Sequence, residues 1–226
     1  MGRDHLRQFP IGGDLGFTRG ILMLDQCEGT PAWQKAGTGS DHALAYDAAA
    51  AWVGEKGLKV TTRTTTPTAG DFVQCFRHVE HVETGLVVLR YKFSWPTLSQ
   101  VQKTEVYLAQ DDGDDVWQAM IRWVQADGFV TYQDSSSSQS ATIITAGSLL
   151  NKQWAAIELV IDLKKHQYVS VRMFGTLVDL SGVGMFFSEG GGSAKSMLVE
   201  LRHYAAGANA AAMHYDYLFL GEFFGL

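Results

Sequence analysis

The chain has 226 residues, a formal net charge of −6, and 46% hydrophobic against 19% charged residues. That is ample for a folded core and too apolar for a disordered chain, and the length suits one all-β sandwich. The 18 Lys and Arg residues are spread thinly, without the concentrated basic stripe that a nucleic-acid binder needs, and no run of about 18 apolar residues offers a membrane-spanning helix.

Residues 1–18 are polar and carry Gly12, Gly13 and Gly16, so they read as an N-terminal arm ahead of a single domain over 19–226. The opening MGRDHLRQFPIGGDLG has charges and no apolar core, which is not a signal peptide. Synthesis in the cytoplasm, with retention there or incorporation in a virion, is the expectation. Beyond the arm the pattern alternates between strand and turn. Strands are predicted at 19–24, 57–63, 71–79, 86–95, 102–110, 115–125, 128–133, 141–145, 154–163, 167–174, 196–205 and 213–222. Turn signals such as Asp111-Asp112-Gly113-Asp114 and Ala126-Asp127-Gly128 separate them. The one helix candidate is the short run Asp47 to Val53.

Period-2 alternation supports these strands. Val87, Leu89, Tyr91, Phe93 and Trp95 share one face of the fourth strand; Ala155, Ile157, Leu159, Ile161 and Leu163 share one face of the ninth. Trp117, Ala119, Ile121 and Trp123 do the same on the sixth, so Trp95, Trp117 and Trp123 are expected in the core. The fold class is therefore all-β, an antiparallel sandwich. Cys27 and Cys75 are too few for a disulfide scaffold, and buried free thiols are preferred over one bridge.

Two stretches carry a family resemblance. One is Leu24-Asp25-x-x-Glu28-Gly29-Thr30-x-x-Trp33, then Trp52-x-Gly54-x-x-Gly57-Leu58-Lys59-Val60. The other is Trp154-x-x-Ile157-Glu158-Leu159-Val160-Ile161-Asp162-Leu163, with Tyr168-x-Ser170-Val171-x-x-Phe174-Gly175 and the closing Tyr215-Asp216-Tyr217-Leu218-Phe219-Leu220. Together they resemble concanavalin A-like and carbohydrate-binding-module jelly rolls, including laminin-G-like and lectin-like sandwiches. The resemblance implies an antiparallel jelly-roll β-sandwich. It also implies a structural calcium between an acidic residue of the first strand, Asp25 or Glu28, and Asp216 of the last; such an ion needs 6–8 oxygens. The run Asp111, Asp112, Asp114 and Asp115 lacks the spacing and distal Glu of an EF-hand and reads as a charged turn.

For sugar binding, the aromatic candidates are Trp52, Tyr91, Tyr107 and Trp154, because aromatic faces stack on pyranose rings. For glycoside hydrolysis, two carboxylates must face each other across a groove. No E-x-D-x-E strand motif occurs; Glu158 and Asp162 lie too far apart along one strand, and Glu105 could face Glu158 from another, though nothing in the sequence places it there. No nucleophilic triad, P-loop or dinucleotide fingerprint is present, so no catalytic residue is assigned.

These features rank the function classes. A non-catalytic structural or assembly protein, such as a virion decoration, capsid or tail component, comes first. It would grip protein partners, itself or particle neighbours, through Phe9 and Phe17 of the arm and Phe223 and Phe224 of the apolar tail. The alternative is a carbohydrate-binding module or adhesion head whose partner is a glycan. A glycoside hydrolase or lyase comes last.

Overall fold

The computed structural model describes residues 18–82, 85–136, 142–145, 151–192 and 194–223, with the side chains of 18–20 and 223 left aside. In chain order the strands are β1 (Thr18–Asp25), β2 (Gln34–Gly37), β3 (Ala43–Asp47), β4 (Gly57–Thr61), β5 (Phe72–Val79), β6 (Leu86–Ser94), β7 (Val101–Asp111) and β8 (Asp115–Val124). They continue with β9 (Phe129–Tyr132), β10 (Ile144–Thr145), β11 (Trp154–Asp162), β12 (Gln167–Met173), β13 (Thr176–Asp179), β14 (Phe186–Glu189), β15 (Ser196–Ala205) and β16 (Ala212–Phe223). Each predicted strand has a counterpart, the one expected over 141–145 being reduced to Ile144–Thr145, with residue 141 outside the described residues. The helix expected over Asp47 to Val53 shrinks to one 3-10 turn, Ala48–Ala50, capped by the Asp47 side chain on the Ala49 N–H. Four short strands, β2, β3, β13 and β14, were not anticipated; each has only four or five residues and mixed burial, too short for alternation to show. Among the described residues, no helix is long and apolar enough to cross a membrane.

The strands form two antiparallel sheets of eight. Sheet A runs β13-β12-β11-β6-β16-β4-β3, with β1 also paired to β16; sheet B runs β10-β9-β8-β7-β15-β5-β2, with β14 also paired to β8. The long strand β16 takes β4 along its first residues and β1 along its last. The break between them falls at Tyr217, whose φ of 55 puts a non-glycine residue in the left-handed region and shifts the register against β6.

One face of each sheet supplies the core, as alternation requires. Val87, Leu89, Tyr91, Phe93 and Trp95 are all buried, and so are Ala155, Ile157, Leu159, Ile161 and Leu163. Trp95 stacks on Trp123 across the sandwich at 4.3 Å, and its indole N–H donates to Thr104 Oγ1 of sheet B at 3.3 Å. Tyr168 of sheet A also reaches across: its hydroxyl accepts from the Met120 N–H at 2.7 Å and donates to the Gln133 carbonyl at 2.8 Å. Trp117 departs from expectation. It is half-buried at the sandwich end, stacked on His166 at 3.9 Å and against Phe187. Cys27 and Cys75 are buried free thiols, and burial pushes both up.

His203 lies wholly within the core, with Nε2 3.2 Å from the Ala211 carbonyl oxygen. Burial holds it down to about 4, so it is neutral in the fold while its unfolded counterpart protonates near pH 6.5. The stability this contributes is present above pH 6.5 and is lost as pH falls through about 4, up to about 3 kcal/mol. Calorimetry between pH 7 and pH 4 should show this decline in Tm, and His203→Gln should reduce it, the remainder coming from His214, which burial also holds down to about 4.

Candidate functional site

Alternation leaves the second face of sheet B pointing away from the core, and register decides what shares that face. Opposite residues on paired strands project to the same side. One lateral row is therefore Phe72–Tyr204–Lys103, the next Gln74–Arg202–Glu105–Arg122, and the third Phe76–Glu200–Tyr107–Met120. These rows cross the middle of the sheet, over β5, β15, β7 and β8.

Glu105 is the hub. Its side chain is 1% exposed, although it sits on an outward face, because its neighbours close over it. Arg122 donates to Oε1 through Nε and Nη2, both at 2.6 Å, and Lys103 Nζ lies 3.1 Å from the same oxygen. The Tyr107 and Tyr204 hydroxyls donate to Oε2 at 2.6 and 3.0 Å. Burial pushes the Glu105 carboxyl up, but the Tyr107 hydroxyl, Arg122 and Lys103 outweigh it, and the group lies below its ordinary range. Glu200 is different. Burial raises it above the ordinary value despite its pair with Arg202, whose Nε and Nη2 lie 2.7 and 2.5 Å from Oε1.

The aromatic rings enclose the cations. The Arg202 guanidinium lies 4.9 Å from the Tyr107 ring and 5.6 Å from Phe72, and Lys103 Nζ lies 4.0 Å above Tyr204. The surface thus offers the half-buried rings of Phe72 and Tyr204 and the buried ring of Tyr107 among three cations and two carboxylates, a local positive excess on an acidic chain. Burial raises both tyrosine hydroxyls, and both are already engaged as donors to Glu105.

Of the expected sugar-binding aromatics, the structure brings only Tyr107 to this surface. Tyr91 is corrected: it is 3% exposed and packs on Phe93 and Tyr215 inside the sandwich, on the same inward face as Val87 and Leu89. Trp52 and Trp154 belong to the outer side of sheet A. Lys92 Nζ lies 3.0 Å from the Trp52 ring centroid, so that face of the indole is already covered. Trp154 is half-buried and lines an open cavity. Glu105 does not face Glu158: the latter lies on the outer side of sheet A, between Arg90 and Arg172. Phe9, Phe17 and Phe224 lie outside the described residues, as does the side chain of Phe223 at the end of β16.

The calcium expectation meets a different arrangement. Glu28 and Asp216 do come together, at a cleft of about 190 Å³ by the break in β16. Asp216 Oδ2 accepts from the Trp52 and Val53 N–H groups and Oδ1 from that of Tyr217. Glu28 Oε1 accepts from Glu55 and Lys56. Asp25 turns elsewhere: Cys27 N–H, Trp33 Nε1–H and the Tyr46 hydroxyl occupy both its oxygens. Calcium requires oxygens converging, not N–H hydrogens, and among the described residues no three His, Cys, Asp or Glu side chains could hold a metal together. The carboxylates of Asp216 and Glu28 are held by N–H donors, most of them from the loop after the 3-10 turn, and no converging shell of side-chain carboxylates forms among the described residues.

The residues that sequence reading passed over are Phe72, Lys103, Arg122, Glu200, Arg202 and Tyr204. A signal was present: Lys103, Glu105, Tyr107 and Glu200, Arg202, Tyr204 each repeat charge, charge, aromatic at every second position of a strand.

No family model and no curated protein sequence matches the chain. Solved structures do. Cellulose induced protein Cip1 aligns over 88% of this chain and 96% of its own, with 14% identity and a TM-score of 0.57. The alginate lyase Aly36B, solved with an alginate trisaccharide, aligns over 84% and 88%, with 12% identity and a TM-score of 0.50. The CBM22-1 xylan-binding domain of Paenibacillus barcinonensis Xyn10C aligns over 95% and 99%, with 13% identity and a TM-score of 0.45. The fold is thus an antiparallel jelly-roll β-sandwich.

Two measurements check this site. Glu105→Ala strands Arg122 and Lys103 beside a buried gap, so denaturant unfolding should show a loss of about 3 kcal/mol or more. Thermal unfolding in calcium and in a chelator should give the same Tm, because the Asp216 and Glu28 oxygens are held by N–H donors.

Proposed function

We propose that the chain is a glycan-binding module whose outer sheet B face takes an acidic polysaccharide. The observation that carries this is the row Arg202–Glu105–Arg122, flanked by Tyr204 and Lys103 on one side and Tyr107 on the other. A buried charged network on an outward sheet face is costly to desolvate, and its cations exceed its carboxylates. The Tyr107, Phe72 and Tyr204 rings hold the Arg202 guanidinium and the Lys103 ammonium in place, and these groups supply charge-assisted hydrogen bonds to carboxylate or sulfate. The likeness to an alginate lyase solved with an alginate trisaccharide supports this reading over an assembly role; nothing found supports a virion component.

A second reading, polyuronate lyase, is supported by the likeness to an alginate lyase and by the tyrosines and cations of the same face. Elimination needs a base to remove the proton beside the uronate carboxyl. Both tyrosine hydroxyls donate to Glu105 and are raised by burial, so neither is poised for that role. Binding therefore ranks ahead of catalysis.

The test is titration calorimetry against polyuronates, sulfated glycans and neutral glucans. Acidic chains should bind, the affinity should fall with added salt, and Arg202→Ala should weaken it roughly tenfold. Equal affinity for neutral glucans, or none for any glycan, would overturn the reading. Growth of unsaturated-uronate absorbance during the titration would replace binding with the lyase.

A further inference from the structure

The outer face of sheet A carries a cavity that the proposed sheet B site does not use. Register aligns Trp154 of β11 with Ser94 of β6, Ser94 with His214 of β16, and His214 with Lys59 of β4. The four side chains thus form one lateral row across four neighbouring strands, about 14 Å from end to end at the usual strand spacing. They alternate with Phe93, Trp95, Met213 and Tyr215, which are buried in the core, so the row faces outward. Along it runs a cavity of about 450 Å³, to which Lys152 contributes from the connection before β11. That volume lies within the usual range for a small-ligand site, about 300–1,000 Å³.

The lining has a definite chemical bias. Trp154 gives an aromatic plate at one end. Lys59 and Lys152 give two ammonium groups, and no Asp or Glu is among the described lining residues. Lys59 contacts Asp47 at 3.4 Å, but that pair is loose, with side chains 37% and 35% exposed, and an ammonium has further donors to offer. His214 is buried and repelled by Lys59, which pushes it down to about 4. A neutral imidazole presents one donor and one acceptor, as a sugar hydroxyl does. Ser94, 2% exposed, adds a hydroxyl to the floor.

We infer that this cavity is a second, independent binding pocket for a hexuronate residue, on the side of the sandwich opposite the charged face of sheet B. The pyranose ring stacks on Trp154, the carboxylate meets Lys59 and Lys152, and the ring hydroxyls meet His214 and Ser94. A sandwich with two such sites back to back would bridge two anionic chains, or two turns of one. The inference stands on the sheet A cavity alone and survives or fails separately from the sheet B site.

The experiment is a two-dimensional NMR titration of the full chain with D-glucuronate and with D-galacturonate, using D-glucose as the neutral control. The expected result is saturable shifts of the Trp154 indole N–H and of the Lys59, Ser94 and His214 backbone signals, with at most a tenth of that response to glucose. Lys152→Asn should weaken uronate binding roughly fivefold, as removal of a partly exposed ion pair would. Lys152 has φ 62, a conformation Asn tolerates, so that variant keeps its fold. Trp154→Ala should weaken binding roughly tenfold. Shifts confined to Arg202, Tyr204 and their neighbours would overturn the second pocket and leave the sheet B site standing. No shifts, equal shifts with glucose, or an unchanged Kd in Lys152→Asn would also overturn it.

Discussion

Every second side chain of β7 and β15 must fill the sandwich interior, and that obligation shapes the rest of the molecule. Val106 and Leu108, with Val199 and Leu201, are buried on the inward side. The remaining positions of the same strands are then forced outward at the centre of a wide sheet, too crowded by neighbours to be well solvated. Polar groups placed there must satisfy one another. Glu105 does so with two cations and two phenols, and Arg202 does so with Glu200 and flanking rings. The candidate surface is what remains of the strands after the core has taken its half.

The magnitude of desolvation separates this surface from an ordinary solvated face. A carboxylate moved out of water loses several kcal/mol of hydration unless donors replace it. Glu105 recovers it through charge-assisted bonds, and its carboxyl ends below its ordinary range. Glu200, with one partner, remains above it. Two carboxylates on one face thus differ because one is ringed by donors and the other leans on a single guanidinium. The same contrast recurs at the break in β16. There the buried Asp216 is raised by desolvation, with the N–H groups of Val53, Trp52 and Tyr217 pulling against it.

How much of this was legible follows from the periodicities involved. The strands of eight or more residues could be read because alternation over that length is unambiguous: the inward faces of β6 and β11 are the ones the pattern named. β2, β3, β13 and β14 could not, since four or five residues of mixed burial show no alternation and each is held by the strand beside it. Tyr91 shows the limit of residue type as a guide: it was chosen as an aromatic, while its own strand pattern already placed it inside. Arg122, Arg202 and Tyr204 show the converse. Each sat in a correctly predicted strand, but only the cross-strand register, absent from a linear reading, gathers them around Glu105.

The rims of the sheets bear on how such a molecule behaves in bulk. Sheet B ends in β10, two residues long, and β2, four residues; sheet A ends in β13 and β3, of four and five. A rim this short exposes few free N–H and C=O groups, too few to template another molecule's strand. The longest strand with a single partner among the described residues is β1, and its register against β16 slips twice, which keeps that rim from lying flat. Crowding of many copies therefore brings their faces together more readily than their edges.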